Sequence, residues 1–314
     1  TGTITKADLA VAMSNQTKTY DGTRAATLAS GAITATGVTV NGVAETATVS
    51  QTAGTYNTKN VATANTVTAS LASADFTAAS GTDLNNYNLP TTVTGTGAIT
   101  KANLTLSGTR VYDASTSFAG SNLTATGVNN ETFTLTGAGD ASNLASKNVQ
   151  SNQALSSVTG LALGTSGNGG LSDNYNAIST TGSSVSVTPK TATVSATATT
   201  KTYNGLTQSQ DAATSSGFIG TDAITISGAS SGKNAGTYTS ALSVGGTDAG
   251  NYSVAITNAD LTINKANLTL SGTRVYDATT SFAGQNLTAT GVNGETFSLT
   301  GAGDVSNLAS KNVQ

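Results

Sequence analysis

Residues 101–114 read KANLTLSGTRVYDA, and residues 265–278 read the same. The match runs on through residues 101–150 and 265–314, which differ at five positions and are offset by 164. Leu104 and Leu106 alternate with polar residues, the period of a half-buried strand, and the turn-forming YDA follows. A duplication of this length makes the chain a tandem array, in which one small supersecondary unit recurs and neighbouring copies supply each other's cover.

Four unit starts share a lysine followed by an alternating strand: Lys6-ADLAVAM, Lys101-ANLTLSG, Lys190-TATVSAT and Lys265-ANLTLSG. An aromatic turn follows each of them: KTYDG at 18–22, RVYDA at 110–114, KTYNG at 201–205 and RVYDA at 274–278. Mid-unit comes a Lys-Asn landmark, in GTYNTKNV (54–61), NLASKNVQ (143–150) and KNAGTYTS (233–240). Near the end stands an Asn-Tyr pair, at Asn86-Tyr87, Asn174-Tyr175 and Asn251-Tyr252. A closing strand (TGAITK, SVSVTPK, DLTINK) then runs into the next lysine. The boundaries are therefore 1–100, 101–189, 190–264 and 265–314, the last a truncated copy of the second.

Period-two alternation is dense, as in Thr132–Thr136 and Ala223–Ser227, and Thr and Val suit half-buried strands. Asn41-Gly42 between GVTV and VAETATV is a two-residue hairpin signal. No segment keeps a helical period. The expected fold is all-β: a tandem array of small antiparallel β-sandwich or β-grasp-like domains, joined without linkers into an extended rod. The recurrent tyrosines Tyr20, Tyr112, Tyr203 and Tyr276 are expected to anchor each core, each hydroxyl finding a polar partner at its edge. Asp21-Gly22 and Asn204-Gly205 supply turn chemistry. Asp113-Ala114 and Asp277-Ala278 lack the glycine, so their turn type is expected to differ.

Composition narrows function. Charged residues are 9% of the chain, against roughly 25% in an average soluble domain, and the net charge is −3. With 37% apolar residues and little net charge, the chain reads as folded, not disordered. It has no Cys and no His, so disulfides, thiolate metal sites and the commonest neutral-pH base are missing. An acidic balance without Lys/Arg clusters gives no footprint for nucleic acid, and no apolar run is long enough for membrane insertion. No SxxK context offers a serine–lysine pair, so the chain is read as non-enzymatic, with no catalytic, cofactor-binding or metal-site residues. Loop calcium is the one cofactor weighed: Gly137–Asp140 and Gly301–Asp304 echo Gly/Asp loops, but ordinary turns account for them better. The Lys-Asn dipeptides raise an isopeptide bond, but sequence adjacency alone does not make one.

The ordered landmarks resemble the YDG and MBG-type repeats of large bacterial surface proteins, haemagglutinin-like adhesins among them. Lys18–Gly22, Lys201–Gly205, the Asn-Tyr pairs and Lys101, Lys190 and Lys265 carry the resemblance. Repeat 2 reads as YDG-like and repeat 3 as MBG-like. The resemblance implies a secreted, cell-surface or matrix location and a stalk or fibre role, with other copies or neighbouring repeats as partners. A second reading is an array binding glycan or extracellular polysaccharide through exposed Tyr56, Tyr87 and Tyr175.

Overall fold

The computed structural model describes residues 1–313 and is built from strands and single-turn 3₁₀ segments, with no α-helix among the described residues. The chain forms two compact units: Thr1–Arg110 with Ser115–Thr188, and Val111–Ala114 with the chain from Pro189 onward. Every sheet keeps within one of the four sequence repeats.

In the first unit, residues 1–100 form two main sheets. One has strand order Gln16–Thr19, Thr92–Thr100, Thr66–Ser70, Ala53–Tyr56, Ala25–Thr27. The other runs Ala10–Met13, Ile33–Val40, Val43–Val49, Phe76–Ala78. Alternate residues point inward, so Ile33, Ala35, Val67, Ala69, Val93 and Ile99 are buried while the intervening threonines face water. The hairpin at Asn41-Gly42 forms as read: both residues have positive φ (52° and 83°), which suits the twist of a two-residue turn. Residues 101–188 make one six-stranded sheet, ordered Gln150–Gln153, Ser184–Thr188, Thr105–Val111, Leu123–Thr126, Thr132–Thr136, Ala162–Ser166. Leu104, Leu106, Phe118, Phe133, Val185 and Val187 are buried.

In the second unit, residues 190–264 hold two three-stranded sheets, Thr214–Ser216, Lys190–Ser195, Tyr252–Thr257 and Thr199–Thr202, Asp260–Asn264, Gly236–Thr239. Residues 265–313 hold a three-stranded sheet, Thr269–Gly272, Leu287–Thr290, Thr296–Ser298.

The all-β expectation holds, but the sheets are not purely antiparallel. The closing strand of repeat 1 lies parallel to the strand that leads into its tyrosine turn (Ile99 opposite Lys18), and repeat 3 does the same (Ile263 opposite Lys201). The two strands are separated by almost a whole repeat, which supplies the long crossover that parallel pairing needs. The closing strand is therefore inserted last in sequence and sits centrally in space.

Burial of the near-identical halves differs sharply. Leu104 is 2% exposed and its counterpart Leu268 51%; Phe133 is 1% exposed and Phe297 50%. In repeat 2 the strands at 150–153, 162–166 and 184–188 extend the sheet that these side chains line. Local sequence sets the strand; distant strands make the core.

Candidate functional site

The aromatic turn is held by its own cation. Lys18 Nζ donates to Asp21 Oδ1 (2.7 Å), Thr23 O (2.9 Å) and Ala25 O (2.8 Å), while Asp21 Oδ1 accepts from the Thr23 amide (2.9 Å). Burial pushes the Asp21 carboxyl up, but the bonds from Lys18 and Thr23 outweigh it and leave the group below its usual range. Arg274 clamps Asp277 and donates to Thr279 O (2.6 Å) in the fourth repeat. There the Thr279 amide bond, then Arg274, hold Asp277 down at about 2. Gly22 and Gly205 have φ of 77°, and Ala114 and Ala278 have 63° and 64°. The expectation of a different turn for the alanine versions is thus corrected. All four occupy the left-handed region, and at Ala278 the Asp277 carboxylate and Arg274 hold it in spite of the Cβ.

The turn tyrosines Tyr20, Tyr112 and Tyr203 each donate a hydroxyl to a carboxylate of the following repeat. Tyr20 Oη donates to Glu131 Oε1 at 2.7 Å, and Tyr175 Oη donates to Glu131 Oε2 at 2.8 Å. The Val128 amide donates to Tyr175 Oη (2.9 Å), so that hydroxyl is used in both senses. The Tyr20 and Tyr175 rings meet edge-to-face at 5.5 Å, and Tyr175 meets Phe133 likewise at 5.4 Å. In the second unit Tyr112 donates to Asp222 Oδ2 (2.9 Å), Tyr252 donates to the same oxygen (2.5 Å), and the Ile219 amide donates to Tyr252 Oη (3.0 Å). Tyr203 donates to Glu295. Tyr87 donates to Glu45 and accepts from the Val38 amide (3.0 Å), the within-repeat half of the same pattern.

The other landmarks gather at the same joint. Asn174, fully buried, accepts from the Val61 amide (2.9 Å) and donates to Asn60 Oδ1 (3.3 Å), so the Lys-Asn segment of repeat 1 rests on the Asn-Tyr pair of repeat 2. Asn129 Nδ2 donates to Asp21 O (3.2 Å), as Asn293 Nδ2 does to Asn204 O (2.7 Å). A Cβ on Gly22 would lie 2.3 Å from Asn129 Nδ2, and one on Gly205 2.2 Å from Asn293 Nδ2, so these glycines serve the contact as well as the turn.

The joint binds by charge-assisted hydrogen bonds from neutral phenols. Burial, then the Glu131 bond, push Tyr20 up to about 12, and the same causes push Tyr175 up further. Burial and Asp222 push Tyr252 up to about 12. The hydroxyls stay protonated and engaged, a structural fastening.

Of the four turn tyrosines, Tyr20 and Tyr112 are buried in the core with their hydroxyls on carboxylates, as expected, Tyr203 is half-buried with its hydroxyl on Glu295, and Tyr276 is 54% exposed, not a core anchor. Asp21, Asp113 and Asp277, with Asn204, Gly22 and Gly205, lie in the turns. Tyr56, Tyr87 and Tyr175, the rings considered for stacking on sugars, are all buried. The Gly137–Asp140 loop is a turn organised by buried Asn143, which accepts from the Asp140 amide (2.6 Å) and the Phe118 amide (3.1 Å). Among the described residues no group of three or more His, Cys, Asp or Glu is placed to hold a metal, and no helix is long and apolar enough to cross a membrane.

The carboxylates Glu45, Glu131, Asp222 and Glu295 escaped the sequence reading. One signal was there: in repeats 2, 3 and 4 an acidic residue stands nineteen positions after the turn tyrosine, in a chain with only 16 acidic residues.

A model of the YDG domain matches residues 5–95 and 188–259, together just over half of the chain. The second match covers the repeat read above as MBG-like, and both carry the glycine-containing turns, Tyr20-Asp21-Gly22 and Tyr203-Asn204-Gly205. No curated protein matches the chain. The chain belongs to the YDG domain family.

Proposed function

We propose that this chain is a structural repeat region, a stalk or fibre, of a secreted bacterial surface adhesin or extracellular matrix filament. It acts by extension, mechanical support and strand-mediated self-association. The observation that carries the reading is the tyrosine–carboxylate joint: within the first unit, repeats 1 and 2 are fastened by Tyr20, Glu131, Tyr175 and Asn174, with no linker between Thr100 and Lys101. Closing strands that sit centrally, parallel to the strand leading into the turn, suit load-bearing, since pulling on the chain shears a paired strand.

Pulling the chain by its ends tests this. Each repeat of roughly 90 residues should release about 300 Å of contour length, at ~3.5 Å per residue, in separate high-force events. Soft, low-force yielding of the whole chain would count against a mechanical role. Antibody labelling of intact and permeabilised cells tests the surface location, and signal only after permeabilisation would contradict it.

A further inference from the structure

Two of the joints seat a pair of phenols from consecutive repeats on one carboxylate. In the first unit Tyr20 of repeat 1 donates to Glu131 Oε1 (2.7 Å) and Tyr175 of repeat 2 donates to Glu131 Oε2 (2.8 Å). In the second unit Tyr112 of repeat 2 and Tyr252 of repeat 3 both donate to Asp222 Oδ2, at 2.9 and 2.5 Å. Within each pair the ring centroids lie 5.5 Å apart, edge to face, at interplanar angles of 79° and 77°. A shared carboxylate draws both hydroxyls to one point, so the ring edges beside them converge. Those edges carry the ortho carbons.

Ortho carbons of adjacent phenols are the atoms that join when both rings lose an electron. Tyr175 also meets Phe133 at 5.4 Å and Tyr252 meets Phe218 at 4.9 Å, but these rings carry no hydroxyl and form no phenoxyl radical. The geometry thus pairs Tyr20 with Tyr175 and Tyr112 with Tyr252. All four rings are buried, which keeps out a ring of another chain, whereas an electron leaves a ring without contact with the oxidant.

We infer that Tyr20 with Tyr175, and Tyr112 with Tyr252, are cross-linking sites, each pair closing to a dityrosine under a one-electron oxidant. Each ring gives up one electron and its phenolic proton, so two equivalents of oxidant are reduced. One proton passes to the shared carboxylate and on to solvent, and the other passes to water directly. The two phenoxyl radicals form one carbon–carbon bond between their ortho carbons. Each of those carbons then loses its hydrogen as a proton, each oxygen regains one, and both phenols are restored. The net change is the loss of two hydrogens per bond, as two electrons to the oxidant and two protons to solvent. Rings already held together couple intramolecularly, which favours this bond over competing reactions of the radicals. The products weld repeat 1 to repeat 2 and repeat 2 to repeat 3. Each closes a loop longer than a repeat and so constrains the unfolded chain, as a disulfide does. The inference goes beyond the stalk reading and does not rest on it, because the joint alone sets the pairs.

Photo-oxidation of the intact chain, kept dilute, with a ruthenium tris-bipyridyl complex and persulfate tests it. The monomer fraction is digested and its cross-linked peptides are identified by mass spectrometry, with the blue fluorescence of dityrosine as a second readout. Peptides joining Tyr20 to Tyr175 and Tyr112 to Tyr252 should form, each lighter by two hydrogens than its two parts together. Tyr20→Phe should remove the first product and leave the second, and Tyr112→Phe should do the reverse. Both variants keep the ring, and the surviving product in each reports that the chain is still folded. In urea both products should be lost. A monomer free of dityrosine, dityrosine only at other tyrosines such as Tyr238 or Tyr276, or the same two products at undiminished yield in urea overturns the inference.

Discussion

Removing the Tyr20 hydroxyl isolates the joint from the cores on either side. In Tyr20→Phe the ring keeps its edge-to-face contact with Tyr175 at 5.5 Å, and only the 2.7 Å bond to Glu131 is lost. A hydrogen bond to a charged group contributes about 1.5–3 kcal/mol. Glu131 is half-buried and retains Tyr175, so the lower end applies: about 1.5 kcal/mol. For a unit of this size that is a fall in Tm of roughly 3–6 °C. The sharper quantity is the coupling to Glu131→Gln. If Tyr20 acts through the charge of Glu131, the hydroxyl is worth only about 0.5–1 kcal/mol in the Glu131→Gln background, a coupling energy near 1 kcal/mol. Urea denaturation of the four proteins, followed by tyrosine fluorescence, gives all terms of the cycle. A Tyr20→Phe effect under ~0.3 kcal/mol, or strictly additive single effects, would refute the reasoning.

Alkaline titration followed at 295 nm should show some of the nine tyrosines ionising late. Tyr20 and Tyr252 are pushed up to about 12. Because these folded values lie above the ordinary 10, their contribution to stability is intact below pH 10 and is lost as pH rises through 12. A single unshifted transition in the folded protein would contradict this. Gly22→Ala meets both a left-handed backbone and Asn129 Nδ2 at 2.3 Å, so it should cost about 2–3 kcal/mol, whereas Ala114→Gly should stay within ~1 kcal/mol of the parent. Equal and opposite effects would show that only φ matters. Asp277, held at about 2, should stay ionised in a carbon-13 carboxyl titration until well below pH 3.8; its stabilising effect is present above that value and lost as pH falls through 2.

Much of this architecture could be read from residues. The alternation in KANLTLSG and the Asn41-Gly42 turn both specify local structure, and local structure followed. The parallel closing strands could not be read, because Ile99 and Lys18 meet across most of a repeat and no local pattern records which strand lies beside which. Burial of Leu104 against exposure of Leu268 makes the same point, since identical sequences differ in cover alone. The joint fell between the two cases. Its tyrosines were conspicuous because they recur, and a recurrent aromatic points to a core with its hydroxyl at the edge, where Tyr20 and Tyr112 do lie. Their true partners are acidic residues on the next repeat, a relation that aligning repeats to one another hides. The alanine turns were misjudged for a related reason: the carboxylate and cation that stabilise φ near 63° act on the turn from flanking positions.

The central claim is that the landmarks fasten one repeat to the next. Residual dipolar couplings across residues 1–188, measured in the intact chain, address it most directly. One alignment tensor should fit repeats 1 and 2 together in the parent, and the pair Tyr20→Phe with Asn174→Ala should split it in two. Two independent tensors in the parent would contradict the account, because the repeats would then move freely despite the joint.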